Sequence, residues 1–217
     1  MASYEPPPYS LEYLVAVLKL SSQWDMEGGR RWAIANITQL GSDVPAPLRL
    51  RLGRQYNIEP WIKPAIRGLL SFTTTLQMLR LRGSKWLSFE EYEVIACARE
   101  GLESERKLLA LVPLAIDDHK AADCTNHQEC IRVWKAQWRK HIGDVMLHPN
   151  WMQALTFLEA ETKLHGLHFV GMTPSCREKT RQIIVDSGAF RVESQYIDRV
   201  YDKLLAEVPL AILDIQV

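Results

Sequence analysis

LGRQYNIEPWIKPAIRGL (residues 52–69) decides how the chain is read, because LSSQWDMEGGRRWAIANI (20–37) states the same pattern 32 residues earlier. Leu20, Gln23, Trp24, Asp25, Met26 and Glu27 recur as Leu52, Gln55, Tyr56, Asn57, Ile58 and Glu59, and Arg31, Ala33 and Ile34 as Lys63, Ala65 and Ile66. Self-similarity at this period marks a helix-pair unit that cannot bury its apolar face without a neighbour. Two copies are too few for a solenoid. The repeat also resolves a local ambiguity: Leu48, Leu50 and Leu52 alternate as a strand would, but 52–56 matches the end of the first helix, so 46–56 reads as helix.

Working outward, Ser10 caps a helix whose apolar set is Leu11, Leu14, Val15 and Leu18, with Val17 and Leu20 widening the stripe toward burial on most sides. Asp25 and Asn57 read as caps of the second helix of each pair, the first running to about Leu40 with Ala33 and Ile37 inward. Gly28 and Gly29 weaken its start, Pro60 is tolerated, and Pro64 removes a hydrogen bond or shifts the start of its helix. A short helix falls near 76–81. Ser88-Phe89-Glu90-Glu91 is a capping box opening the longest helix, 89–112, with Tyr92, Ile95, Ala98, Leu102, Leu109 and Val112 inward and Arg99, Glu103, Arg106 and Lys107 facing water.

Residues 113–125 form a polar connection and the expected boundary between sub-bundles 11–112 and 126–217, while residues 1–10, with Pro6, Pro7 and Pro8, form an extended tail. In the second half a helix from about 128 to 146 points Ile131, Trp134, Trp138, Ile142 and Val145 inward. Asn150 caps a helix holding Leu155 and Leu158 that Gly166 ends, Thr173-Pro174 opens one ended by Gly188, and Ile197, Val200 and Leu204 mark the last. The apolar tail 208–217 is left open. The fold expected is all-α, a helical array of about nine or ten helices with an internal helix-pair repeat.

Composition narrows the function classes. With 47% apolar and 24% charged residues the chain is ordinary for a globular protein, and at 217 residues it can bury about 70% of its unfolded surface without staples. Net charge is zero, which gives a nucleic-acid partner no global electrostatic support. Residues 1–86 carry 11 Lys and Arg against 6 Asp and Glu, net +5, and the remainder is −5, an asymmetry that screening makes weak. Neither a membrane-spanning run nor a signal peptide is evident, so the expected location is cytoplasmic or nuclear, with the four cysteines reduced.

The segments VLKLSSQW (17–24), RRWAI (30–34), LRLGRQYNIEPWIKPA (50–65), ESER (103–106), CTNHQECIRVWKAQW (124–138), LHP (147–149) and GMTPSC (171–176) resemble, in order and spacing, the region following the BTB/POZ fold in fungal, mainly mushroom-type, BTB-domain proteins. The resemblance implies a BACK-like helical scaffold of adaptor type. Because the chain opens about ten residues before the first of these helices, it implies that scaffold without its BTB core, as a shortened member or an incomplete gene model. Dimerisation and ubiquitin-ligase recruitment through the core are not carried over.

The sharpest chemical constellation is Cys124, His127 and Cys130, thiol and imidazole ligands three residues apart that suit tetrahedral zinc. A closed site needs a fourth ligand, from His119 in the same loop or from Cys176 if the last helices fold back. The paired CxxC or HxxxH spacing is absent, so the thiols read first as small apolar groups beside Trp134, with zinc as the alternative. His165 and His168 flank a helix end, and Asp117-Asp118-His119 reads as a solvated turn, no nucleophile motif accompanying it. Trp24, Trp32, Trp61, Trp134, Trp138 and Trp151 read as core rather than base-stacking platforms. Arg49, Arg51 and Arg54, with Arg132, Lys135, Arg139 and Lys140, are the clusters a nucleic-acid reading would use.

The expected function is therefore non-catalytic protein–protein interaction with a partner the sequence does not identify and an oligomeric state it does not fix. The docking surface expected is an apolar groove between the repeated pairs and helix 89–112. A zinc-stabilised helical module binding nucleic acid is the alternative, and an enzyme of unknown class the second.

Overall fold

The 32-residue echo is conformational as well as chemical. A computed structural model describes residues 9–71, 85–113, 116, 119–150, 153–167 and 169–208, and its regular structure there is entirely helical. Helix α1 (Leu11–Gln23) leads through Trp24, Asp25 and Met26 into α2 (Glu27–Gln39). Helix α3 (Ala46–Gln55) leads through Tyr56, Asn57 and Ile58 into α4 (Glu59–Leu70).

Each step of the turn is duplicated. Trp24 and Tyr56 close their helices with N–H bonds of 3.0 Å to Leu20 and Leu52, and Met26 and Ile58 reach back 2.7 Å to the carbonyls of Ser21 and Gly53. Asp25 and Asn57 sit between at φ 54° and 51°. That six-to-one bond over a left-handed residue is the Schellman ending, so Asp25 and Asn57 terminate the preceding helix rather than cap the next, as their polarity had suggested. Met26 and Ile58 take the N-cap positions instead. An Asx residue serves both roles because its short side chain tolerates left-handed backbone. The crossing chemistry is exchanged: Gly29 of α2 faces Ser21 in the first pair, while Gly53 of α3 faces Trp61 and Ile62 in the second.

Ser10 accepts from the Tyr13 N–H and starts α1 as expected. Leu14, Val15 and Leu18 enter a core with Ala33, Ile37, Val44, Leu48, Leu52, Ile58 and Trp61, but Leu20 is exposed, so α1 is buried on one side only. The alternating Leu48, Leu50 and Leu52 are all fully buried on a helix enclosed on nearly every side, which is why they mimic a strand. Helix α4 runs unshifted through Pro64, which lacks the N–H its turn would use.

The segment near 76–81, residues 1–8, Asp117, Asp118, Trp151, His168 and residues 209–217 lie outside the described residues. Helix α5 (Phe89–Leu111) opens with the expected capping box, Ser88 and Glu91 exchanging bonds of 2.7 and 3.1 Å. Val112 is exposed and Ala110 takes its inward place, while Arg106, read as facing water, bonds Glu103 and the Met146 carbonyl.

Contacts divide the chain into Met1–Ile95 with Tyr201–Val217, and Ala96–Val200. The sequence placed the division at 113–125; it falls within α5, and α9 (Val192–Ala206) is divided as well. A polar segment marks where the chain turns, not which neighbours successive turns of one long helix find. In the first unit Glu91 of α5 meets Arg54. In the second, the Leu109 carbonyl near the end of α5 accepts from the Trp138 indole N–H at 3.1 Å, satisfying one of the acceptors a helix end leaves open.

The second unit is built around α6 (His127–Trp138), its π turn Arg139–Gly143 and a last α turn Asp144–Met146. Trp134, Trp138, Phe169 and Phe190 form a chain of tilted rings with centroids 5.1–6.2 Å apart. Ile131, Trp134, Trp138 and Ile142 are buried as expected, but the extra residue of the π turn rotates the face so that Met146, not Val145, completes the set. Gly143 is required there, since a Cβ would lie 2.5 Å from the Ala110 carbonyl oxygen.

Helix α7 (Phe157–Gly166) is capped by Thr156 and Glu159 rather than Asn150; T-x-x-E was the overlooked signal, and Leu158 consequently points outward. Helix α8 (Pro174–Ser187) ends at Gly188, and Ile197, Val200 and Leu204 of α9 are buried.

Candidate metal centre

Cys124 lies in the turn before α6, where its N–H bonds the Ala121 carbonyl at 3.1 Å. Asn126 caps α6 by accepting from the Glu129 N–H, which places His127 at the first helical position and Cys130 one turn on. Thr173 precedes α8, and Pro174 at its first position sets Cys176 at the third. Two helix N-termini thus meet three sulfurs, and their free amides favour negative charge there.

The four donor atoms of Cys124, His127, Cys130 and Cys176 all lie within 4.8 Å of one another. Sγ of Cys124 is 3.7 Å from Sγ of Cys130, and Nδ1 of His127 is 4.0 Å from Cys124 Sγ and 3.7 Å from Cys176 Sγ. The three cysteines are buried, and all four cysteines of the chain are free thiols. Of the residues singled out in the sequence, Cys124, His127 and Cys130 come together. His119 does not join them: it is exposed, its N–H closing a turn onto Ile116, and Cys176 occupies the fourth corner. Sequence proximity favoured His119, but a short turn carries its side chain outward whereas the start of α8 aims Cys176 inward.

The imidazole is fixed by its other nitrogen. His127 Nε2 lies 3.0 Å from the Ile116 carbonyl, which can only accept, so Nε2 carries the proton and the Nδ1 lone pair faces the thiols. Around the sulfurs, the Ala121 N–H points at Cys176 at 3.4 Å, the Thr173 N–H at Cys130 at 3.5 Å and the Thr173 hydroxyl at Cys124 at 3.6 Å. The Thr173 hydroxyl, with the neighbouring thiols and imidazole, draws the Cys124 thiol down to about 7 against the cost of burial. Burial pushes Cys176 up to about 11, and the adjacent thiols add to it.

Among the described residues no carboxylate belongs to this group. The first basic cluster is engaged elsewhere: Arg51 is 2% exposed, Arg54 is buried against Glu91 and the carbonyls of Leu204 and Val208, and Arg49 bonds the Gly41 carbonyl; in the second, Arg132 pairs with Glu129 at the surface, and Lys135, Arg139 and Lys140 are exposed. Trp61, Trp134 and Trp138 are core as expected, but Trp24 and Trp32 are exposed. Among the described residues no helix is long and apolar enough to cross a membrane. Comparison with protein-family models, with curated proteins and with solved structures finds no match for this chain.

Proposed function

We propose that the protein is a non-catalytic helical scaffold that docks an apolar face of another protein onto the aromatic surface of α1 and α2, in the cytosol or nucleus. One observation carries this reading: Tyr9, Tyr13 and Trp32 pack ring on ring at the surface rather than in the core. Tyr9 stacks on Tyr13 at 5.5 Å and meets Trp32 edge-on at 5.1 Å, while Tyr13 remains 51% exposed. Trp24, 66% exposed, and Met26 extend the apolar set on the same helix pair.

Rings held by one another are ordered before any partner arrives, which lowers the entropic cost of binding. Tyr, Trp and Met are the residue types enriched where proteins meet. The resemblance to the region after the BTB/POZ fold of fungal proteins points the same way, toward an adaptor-type, BACK-like scaffold. The surface proposed is this outer face, not the groove beside helix 89–112. The nucleic-acid alternative loses Arg51 and Arg54, which are buried, and keeps Arg132, Lys135, Arg139 and Lys140 at the surface on a chain of zero net charge.

A photo-reactive residue at position 24 tests the proposal. The expected result is a covalent adduct with one defined protein that rebinds the purified chain and is lost in Tyr13→Ser/Trp32→Ser with circular dichroism unchanged. An adduct with a second copy of the chain alone, or one that survives the double variant, overturns it.

A further inference from the structure

We propose that Cys124, His127, Cys130 and Cys176 bind one Zn²⁺ in a closed tetrahedral site that ties the start of α8 to the start of α6. The geometry sets the terms. Zinc bonds of about 2.3 Å to sulfur and 2.0–2.1 Å to nitrogen, at tetrahedral angles, require S···S separations of about 3.8 Å and S···N of about 3.6 Å. The structure has Sγ of Cys124 and Cys130 at 3.7 Å and Nδ1 of His127 at 3.7 Å from Cys176, so small shifts admit the ion. The imidazole already presents its lone pair, and its Nε2–H···O bond to Ile116 is the supporting contact that metal-bound histidines need.

Binding breaks three S–H bonds, releases the three protons to solvent and leaves four dative bonds, with no change of oxidation state. Zn²⁺ with three thiolates and a neutral imidazole carries net −1. The Ala121 N–H, the Thr173 N–H and hydroxyl, and the two helix N-termini surround that charge. Three sulfurs and one nitrogen favour zinc over magnesium or calcium, which take oxygen ligands. With four protein ligands no position is open to substrate, so the ion's role is structural. It closes the chain segment from 130 to 176, which contains α7, much as a cross-link would. The site does not depend on the docking reading.

The test is elemental analysis of the full chain purified without added metal, followed by cobalt substitution of the reduced, chelated protein. One zinc per chain is expected, and cobalt should give intense tetrahedral ligand-field bands with thiolate charge transfer. Cys176→Ser should lose stoichiometric metal. His127→Cys should keep it with stronger charge transfer, a readout that separates coordination from failed folding, and His119→Ala and Cys97→Ser should leave both measurements unchanged. Chelation should raise amide exchange first at residues 119–130 and 171–180. A metal-free protein whose reduced form takes up no tetrahedral cobalt, a Cys124–Cys130 disulfide in the freshly isolated chain, or equimolar zinc surviving Cys176→Ser with an unchanged cobalt spectrum would each overturn the site.

Discussion

In the first unit a guanidinium lies in the interior, and the protein supplies its counter-charge: Arg54 meets the Glu91 carboxylate and the carbonyls of Leu204 and Val208. In the second, three sulfurs and an imidazole face one another, with N–H and O–H donors directed at the sulfurs. The difference lies in what completes each cluster. A buried charge with an internal partner is assembled by folding alone, whereas lone pairs converging on a common point are completed by a cation from solution. The first unit should therefore be indifferent to chelators and sensitive to its own carboxylate, and the second the reverse.

The largest expected effect comes from breaking the first unit's cluster. Glu91→Ala leaves the Arg54 charge buried and removes the α5 capping box, so unfolding in urea should show a loss of about 3–5 kcal/mol. Adding Arg54→Met should recover part of it, because the uncompensated charge is gone. A loss under about 1 kcal/mol would place the pair with exposed ones and dissolve the contrast between the units.

Next in size is Gly143→Ala in the second unit, whose Cβ meets the Ala110 carbonyl oxygen at 2.5 Å. Overpacking of this kind costs about 1–3 kcal/mol. Thermal melting of the metal-loaded and chelated protein should show the loss in both, since the contact is independent of the thiols. An unchanged melting temperature would mean that α5 and the π turn do not approach so closely.

The smallest effect concerns the repeat within the first unit. Asp25→Gly and Asn57→Gly relieve a left-handed residue in equivalent turns, and each should raise stability by about 0.5–1 kcal/mol by equilibrium unfolding. Equal gains would sharpen the repeat; a gain in one turn and a loss in the other would break it.

Much of this architecture was legible. The Ser10 cap, the Ser88 and Glu91 capping box and the reading of 46–56 as helix rest on local hydrogen bonding and on an internal copy, both of which leave marks in one dimension. The misreadings share a cause. Asp25 and Asn57 suit either end of a helix, and which end they serve depends on the backbone's direction after the turn. Arg51 and Arg54 counted toward a basic cluster that a nucleic-acid partner could use because sequence counts charges and does not show that α3 is enclosed. Val145 lost its inward place to Met146 because one extra residue in a π turn re-phases the face. Among the candidate ligands, three residues within seven positions were visible, while the fourth lay 46 positions beyond Cys130, where spacing carries no geometry.

The sequence by itself determined the helical class, the helix-pair unit and the closeness of two thiols and an imidazole that share a turn and the start of one helix, because hydrophobic period, capping and short-range spacing are properties of neighbouring residues. Only the tertiary structure decided that Cys176 rather than His119 stands fourth, that the boundary between units runs through α5, and that two arginines are interior. Those outcomes depend on which distant surfaces exclude water from one another, and that is settled by packing, not by distance along the chain.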